Sequence, residues 1–440
     1  MPTDPPTPDR TLTLTDGLAM LIGIVLGIGI FKAPSLVASN VPNETVFIAL
    51  WLLGGAIAFV GALCYTELCT TYPNAGGEYH FLRLAYGRRV AVLFGWARGT
   101  VIQTGAIAAV AFVYGDYAHA LLPLGAYGPS IHAIVALVVI TAINLVGTFQ
   151  SRMAQVICEA LTITGMLAVI AGGILTPSAA PAASAAASGS GGSLGLAMVF
   201  IMLTYGGWNE AAYLSGEMRD ARRNMVRLFV IGMIVVTAVY VATNIAYLRV
   251  FGLDGLRASN AIGDDMMRRV FGSWSAPIFG VIVCGAALST LNGTIFTGAR
   301  SYYALGRDLP VLGRLGVWSE RGGNPFNAIL IQSVISLVLI LFGMLARDGF
   351  EAMVAYAAPV FWFFLLLVGA SLFVFRWRDP QREVPFRVPL YPVTPALFCA
   401  TCAWMMYSSL AYAGIGSILG VVVLLCGVPL LLTRANEETD

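Results

Sequence analysis

The chain has 440 residues, 58% of them hydrophobic and only 11% charged, with a net charge of +2. A soluble domain carries roughly 25% charged residues, so this composition, with a mean hydropathy of +0.80, excludes a compact soluble protein. The net charge says little by itself; no nucleic-acid partner is expected, and lipid is the expected surrounding.

The first fifteen residues are polar and Pro-rich. They lack the charged-then-apolar order of a signal peptide. Residues 1–15 therefore read as a cytoplasmic tail, and the first apolar segment reads as retained. Apolar segments long enough to span follow at roughly 17–40, 45–70, 90–118, 130–148, 153–175, 194–216, 226–250, 274–303, 326–346, 350–375, 392–412 and 415–433. That pattern predicts an all-α membrane protein with about twelve transmembrane helices. Gly414 and Gly416 mark the turn between the last two.

The stretch 176–193 runs from Thr176-Pro177-Ser178 into Ala, Ser and Gly, which reads as an outer linker. It divides the transmembrane domain, 16–433, into a first half at 16–175 and a second at 194–376. Two further helices follow at 390–433, then a short cytoplasmic tail at 434–440. The loop near 251–272 mixes charge with Ile262, Met266, Met267 and Phe271. It fits a short amphipathic helix over an outer vestibule and equally a surface loop helix.

Arginine placement sets orientation. With the N-terminus inside, Arg83, Arg88, Arg89, Arg152, Arg219, Arg222, Arg223, Arg227, Arg307, Arg314, Arg321, Arg378, Arg382 and Arg387 all fall in inner loops. The outer exceptions are Arg347 and, in the 251–272 loop, Arg257, Arg268 and Arg269. The bias puts both termini in the cytoplasm. The seven cysteines lie in apolar stretches and read as small buried hydrophobes. Cys399 and Cys402 form a C-x-x-C with no histidine or second pair nearby, so neither metal nor cofactor is expected.

Two glycine pairs stand near mid-membrane, Gly27-Ile28-Gly29-Ile30-Phe31 in the first span and Tyr205-Gly206-Gly207-Trp208 in the sixth. Such pairs either let helices approach closely or mark unwinding. One lies in the first span before the linker and the other in the first span after it. Interrupted segments at matching places in two halves point to an inverted-repeat transporter. Unwound backbone at that depth is tolerated only where it lines a cavity. Free N–H groups at a half-helix start attract a carboxylate, and free carbonyls at the end of another accept from an ammonium. An α-amino acid carries both groups.

Ionisable residues inside spans default to functional hypotheses. Glu210 follows the second break and Glu159 lies in the fifth span one turn before Thr162. Both are candidates for proton coupling, the alternative for Glu210 being a structural acid paired to a neighbour. Lys32, the one lysine of the chain, is placed to snorkel outward, with a substrate or gate role as the alternative. Arg98 reads as structural, and Glu67 and Asp116 as reaching the interface.

Five stretches in order resemble the amino acid–polyamine–organocation superfamily, in the branch of L-type amino acid transporters and their bacterial relatives. They are Gly27 to Phe31; Tyr65-Thr66-Glu67-Leu68 with Pro73 and Gly76-Gly77-Glu78-Tyr79; Tyr205-Gly206-Gly207-Trp208-Asn209 with Glu217 and Arg223-Asn224; Ala299-Arg300 through Pro310; and Arg382 to Pro392. The resemblance implies a LeuT-type 5+5 inverted repeat with helices one and six broken, and transport by alternating access. It implies that backbone at Gly27, Ile28 and Gly29, beside Ile30, holds a substrate carboxylate. Backbone at Leu203, Thr204 and Gly206, beside Tyr205, Trp208 and Asn209, would meet the amino group.

The sequence departs from that pattern at three places. Ile28 replaces the usual small residue, so a bulkier pocket floor is expected. Leu203 stands where a gating Phe is common. Thr162 falls where many sodium-independent members have a cation-site Lys, so Ser289 and Thr290 of the eighth span are candidates for sodium. The loop from His119 to Ser130 lacks the Cys through which eukaryotic members join a heavy chain, so no such partner is expected and a bacterial inner membrane is. A polyamine or organocation permease of the same fold and a non-transporting nutrient sensor are the alternatives. No enzyme is expected, because His80, His119 and His132 form no cluster.

Overall fold

The computed structural model describes residues 12–74, 76–146, 152–176, 193–319, 324–346, 348–412 and 414–432. Most of the linker and of both tails lies outside these residues, as does the side chain of Glu159. Among the described residues the regular structure is helical, with two isolated β-bridges. Nine of the described helices are long and apolar enough to cross a membrane. Two shorter apolar helices, Ala160–Leu175 and Ile415–Leu431, and the interrupted segment from Leu194 to Gly216 bring the described crossings to the twelve expected. The outward faces are apolar, as lipid requires: Val138, Ile234, Ile278 and Val281 are each more than half exposed.

Local chemistry explains where the helices start and stop. Helix α1, Leu14–Val25, opens on a capping box between Thr13 and Asp16. After a break it resumes as α2, Ala33–Ser39. Helix α3, Glu44–Thr71, is capped by Asn43, whose side chain accepts from the Val46 N–H at 2.9 Å. The short α4, Gly77–Tyr86, ends at Gly87, whose φ of +86° suits glycine and starts α5, Arg88–Ala97. A π-helical stretch over Arg98–Gln103 carries α5 into α6, Thr104–Leu121, so the third crossing is one rod.

Helices α7, Gly128–Val146, and α8, Arg152–Leu175, complete the first half. The second opens with α9, Leu194–Thr204, followed after a break by the 3-10 helix Trp208–Gly216. Helix α10, Ala221–Ala258, bends at Gly252. The expected amphipathic segment is α11, Ile262–Phe271, its apolar face of Ile262 and Met266 fully buried. Then come α12, Ser275–Asp308; α13, Phe326–Gly343; α14, Gly349–Arg378; α15, Val393–Tyr412; and α16, Ile415–Leu425.

Both interrupted spans lie inside the bundle. Ahead of the first span Leu12 pairs with the segment after the sixth, donating to the Glu217 carbonyl and accepting from the Arg219 N–H.

Candidate functional site

The first break is made by Leu26 and Gly27. Gly27 is extended, at φ −80° and ψ −177°, and a 3-10 turn over Ile28–Phe31 follows. The first N–H groups of that turn have no intrahelical carbonyl to meet. The second break follows Thr204. Gly207 takes φ +100°, a left-handed conformation that favours glycine, and so turns the chain into the 3-10 helix.

The breaks face each other. A side chain at Gly29 would meet Thr204 at 3.5 Å, and one at Gly207 would meet Ile24 at 2.8 Å. The Tyr240 hydroxyl, on α10, stands within reach of the Val25 and Thr204 carbonyls, the second at 3.1 Å, and can give its proton to either. Those are the last carbonyls of the two half-helices. Tyr240 is held in an aromatic cluster with Trp51 and Tyr205. Around this point Gly27, Gly29, Leu203, Gly206 and Gly207 are partly open, while Ile28, Ile30, Thr204 and Tyr205 are buried. Accessible backbone among closed side chains is what a backbone-read substrate needs.

Other expected site residues fall elsewhere. The Trp208 ring packs edge-on against Tyr65, Phe229 and Phe398, which commits it to the protein interior. Thr162 is buried on α8. Ser289 and Thr290 are half-buried on α12, and the Thr290 hydroxyl donates to the Ala286 carbonyl of its own helix at 3.0 Å.

Asn209 and Glu210 enter a charged network on one side of the breaks. Arg98 donates to both Glu210 oxygens, at 3.0 and 2.7 Å, and stands 3.5 Å from Glu78. Glu78 also accepts from the Tyr65 hydroxyl at 2.6 Å, from Asn209 at 3.0 Å and from Tyr213 at 3.4 Å. Burial raises the Glu78 carboxyl above the usual carboxylate range, and the Arg98 charge pulls it back. The network joins α3, α4, the third crossing and the 3-10 helix after the second break. In the sequence Tyr65 and Glu78 stand only within a motif, and their meeting with Arg98 leaves no signal there because the three lie on separate elements.

On the other side of the breaks, Lys32 does not snorkel. Its side chain is 5% exposed, and its ammonium bridges Asp116 of α6 and Asp348, the cap of α14, each at 2.8 Å. Asp116 likewise does not simply reach the interface, and nor does Glu67, which takes a two-pronged contact from Arg376 and a bond from the Val388 N–H. An unpaired charge at that depth is costly, so these groups find partners instead of water. Beside Lys32, the Phe31 carbonyl accepts from the Tyr117 hydroxyl at 3.0 Å.

Two interrupted helices meeting inside an all-α membrane bundle, with buried ion pairs on either side of the breaks, are the features of a membrane transporter. The profile of the amino acid permease family matches residues 12–426, and the chain belongs to that family. It is 30% identical over 399 residues to the b(0,+)-type amino acid transporter 1 of Homo sapiens, covering 88% of this chain and 80% of that one. It is 27% identical over 431 residues to the cystine/glutamate transporter of Homo sapiens, covering 96% and 84%. With the large neutral amino acids transporter small subunit 2 of Mus musculus it shares 27% over 439 residues, covering 96% and 80%.

Proposed function

We propose that the chain carries L-amino acids, neutral ones above all, across a cell membrane by alternating access. The observation that carries this is the partly open backbone of two broken helices meeting face to face. The substrate carboxylate takes the N–H groups at Gly27, Ile28 and Gly29. The ammonium takes carbonyls at Leu203, Thr204 and Gly206. Amino acid transport by the named relatives supports the reading, as does membership of the permease family. In this reading 16–175 and 194–376 act as the two repeats. The arginine bias favours both termini in the cytoplasm and Lys32 toward the outside, and a bacterial inner membrane fits a chain whose loop after the third span carries no cysteine. The small-subunit name of one relative weighs against independence, and the cysteine-free loop between Leu121 and Gly128 weighs for it.

Purified protein in liposomes, loaded with unlabelled amino acids, tests the function by counterflow of labelled ones. Neutral L-amino acids should accumulate transiently without any other protein. Counterflow of diamines alone would favour the organocation reading. Binding without counterflow would favour a sensor, and a need for a co-purified subunit would end the claim of independence. Two couplings are distinguishable in the same vesicles. Stimulation by an inward proton gradient that Glu210→Gln abolishes, with exchange intact, assigns Glu210. Loss of uptake when choline replaces sodium at fixed pH assigns Ser289 and Thr290.

Gly29→Val should abolish uptake while leaving inserted protein, because its methyls would spread the breaks at Thr204 and cover the carboxylate site. Normal uptake would remove that assignment. Ile28→Ser should shift substrate preference. A methylene-scale contact is worth about 1–3 kcal/mol, so a change of roughly tenfold in relative affinity is expected, and an unchanged profile would mean Ile28 points away from the ligand.

A further inference from the structure

Helix α11 carries Asp264 on its buried side. Asp264 is 4% exposed, and its fully enclosed Oδ1 has no hydrogen-bond partner. The carboxylate lies on the bare face of α12 at Gly280, where a side chain would meet its two oxygens at 3.3 and 3.4 Å. Leu121 of α6 covers the same spot. An ionised carboxylate so enclosed and unpaired is strongly disfavoured, and a protonated one is not.

The charged and titratable groups around it do not supply a counter-charge in contact. On its own helix, Asp265 opposes ionisation and Arg268, one turn on, favours it; Ser259 donates to Asp265, at 2.6 Å. Arg269 turns away to the Phe251 ring of α10. Cys284 faces it from α12, and the phenols of Tyr117 on α6 and Tyr247 on α10 lie near. Asp116, next to Tyr117, is held by Lys32. From α8 the contact is Gly172 against Val270.

The neighbour of Asp264 ties this helix to the break. The Gly263 N–H donates to the Tyr117 hydroxyl at 3.2 Å, and the same hydroxyl donates to the Phe31 carbonyl at 3.0 Å. Seating of α11 and closure of the first broken helix therefore share one bridge.

We propose that Asp264 is a proton-binding site, and that α11 is a lid which docks over the outer path when Asp264 is protonated and lifts when it is ionised. The outward position of the lid rests on the orientation proposed above. The proton comes from the outer solution and returns there when the lid lifts, so it sets the rate without being carried. Burial, as the main cause, pushes the docked carboxyl up to about 7, against about 3.9 for a free aspartate. Because the docked form binds the proton more tightly, docking is weakest above pH 7. It strengthens by up to about tenfold per pH unit as the outer pH falls toward 4.

The test uses Met266→Cys, a position fully buried beneath the lid, with a membrane-impermeant maleimide. The ratio of labelling rates between this variant and Met266→Cys/Asp264→Asn at each pH cancels the maleimide's own pH dependence. The lid predicts that the single variant labels about tenfold faster or more at pH 8, and that the two converge near pH 4. In uptake at fixed internal pH, the unmodified chain should slow several-fold from outer pH 6 to 8, while Asp264→Asn stays flat. Parallel labelling profiles, or a labelling ratio that follows sodium at fixed pH, would overturn the proposal. Labelling needs no substrate, so it can fail or succeed apart from the amino acid reading. Should Asp264→Asn not insert, Gly280→Ala, which crowds the carboxylate site, must lift the lid at every pH, or the proposal falls.

Discussion

The charged clusters on either side of the breaks, inner and outer in the orientation proposed above, are built differently. The inner one spreads its charge over Arg98, Glu78 and Glu210 and completes it with hydrogen bonds from Tyr65, Asn209 and Tyr213. The outer one hangs on a single ammonium between two carboxylates that are 18% and 21% exposed, beside an Asp264 oxygen with no partner at all. A network in which each member has several hydrogen bonds resists opening as a unit, although its Glu210 side chain is 34% exposed. A single cation held by one contact to each of two carboxylates has fewer bonds to lose. The inner side therefore acts as the firmer closure and the outer side as the more responsive one.

Arg98→Met strains that contrast most, because it leaves the buried Glu78 carboxylate without its cation and beside Glu210, whose side chain is 34% exposed. Removing one partner of a buried charged pair costs about 3–5 kcal/mol. The thermal midpoint in detergent should therefore fall further than for Lys32→Met or Tyr240→Phe, and exchange should be lost. A midpoint close to that of the unmodified chain would reduce the network to ornament. Lys32→Met comes next, at about 2 kcal/mol, the range for a charge-assisted bond. It should raise outside labelling of Met266→Cys, which Arg98→Met should leave unchanged. Equal effects of the two on labelling would erase the difference between the sides. Tyr240→Phe is the smallest, at about 1 kcal/mol. It removes the hydroxyl from the two half-helix carbonyls, so it should lower substrate affinity a few-fold with little change in the thermal midpoint.

The sequence makes some of these features plain and hides others, for physical reasons. The breaks are legible because glycine is penalised inside a helix, about 1 kcal/mol relative to alanine, and two pairs at matching places ask for an explanation. The spans are legible because lipid demands long apolar runs. The partners of ions are not legible. Lys32 reads as a residue able to snorkel until α6 and α14 bring Asp116 and Asp348 to it. Glu210 reads as an isolated deep acid until Arg98 is seen to hold both its oxygens. Trp208 abuts the break in sequence, yet its ring turns into the core. The amphipathic α11 is visible as a pattern, but which of its acids is enclosed depends on a bare glycine of another helix, Gly280.

If backbone at the two breaks reads both charges of an amino acid, a substrate stripped of either charge should bind poorly. Competition against counterflow of a transported neutral amino acid measures this with three analogues of the same side chain: the amino acid itself, its methyl ester and its des-amino acid. Only the zwitterion should compete well. Removing either charge should weaken competition by tenfold or more, since each charge-assisted bond is worth about 1.5–3 kcal/mol. An ester or des-amino acid that competes as well as the amino acid would contradict backbone recognition at the breaks.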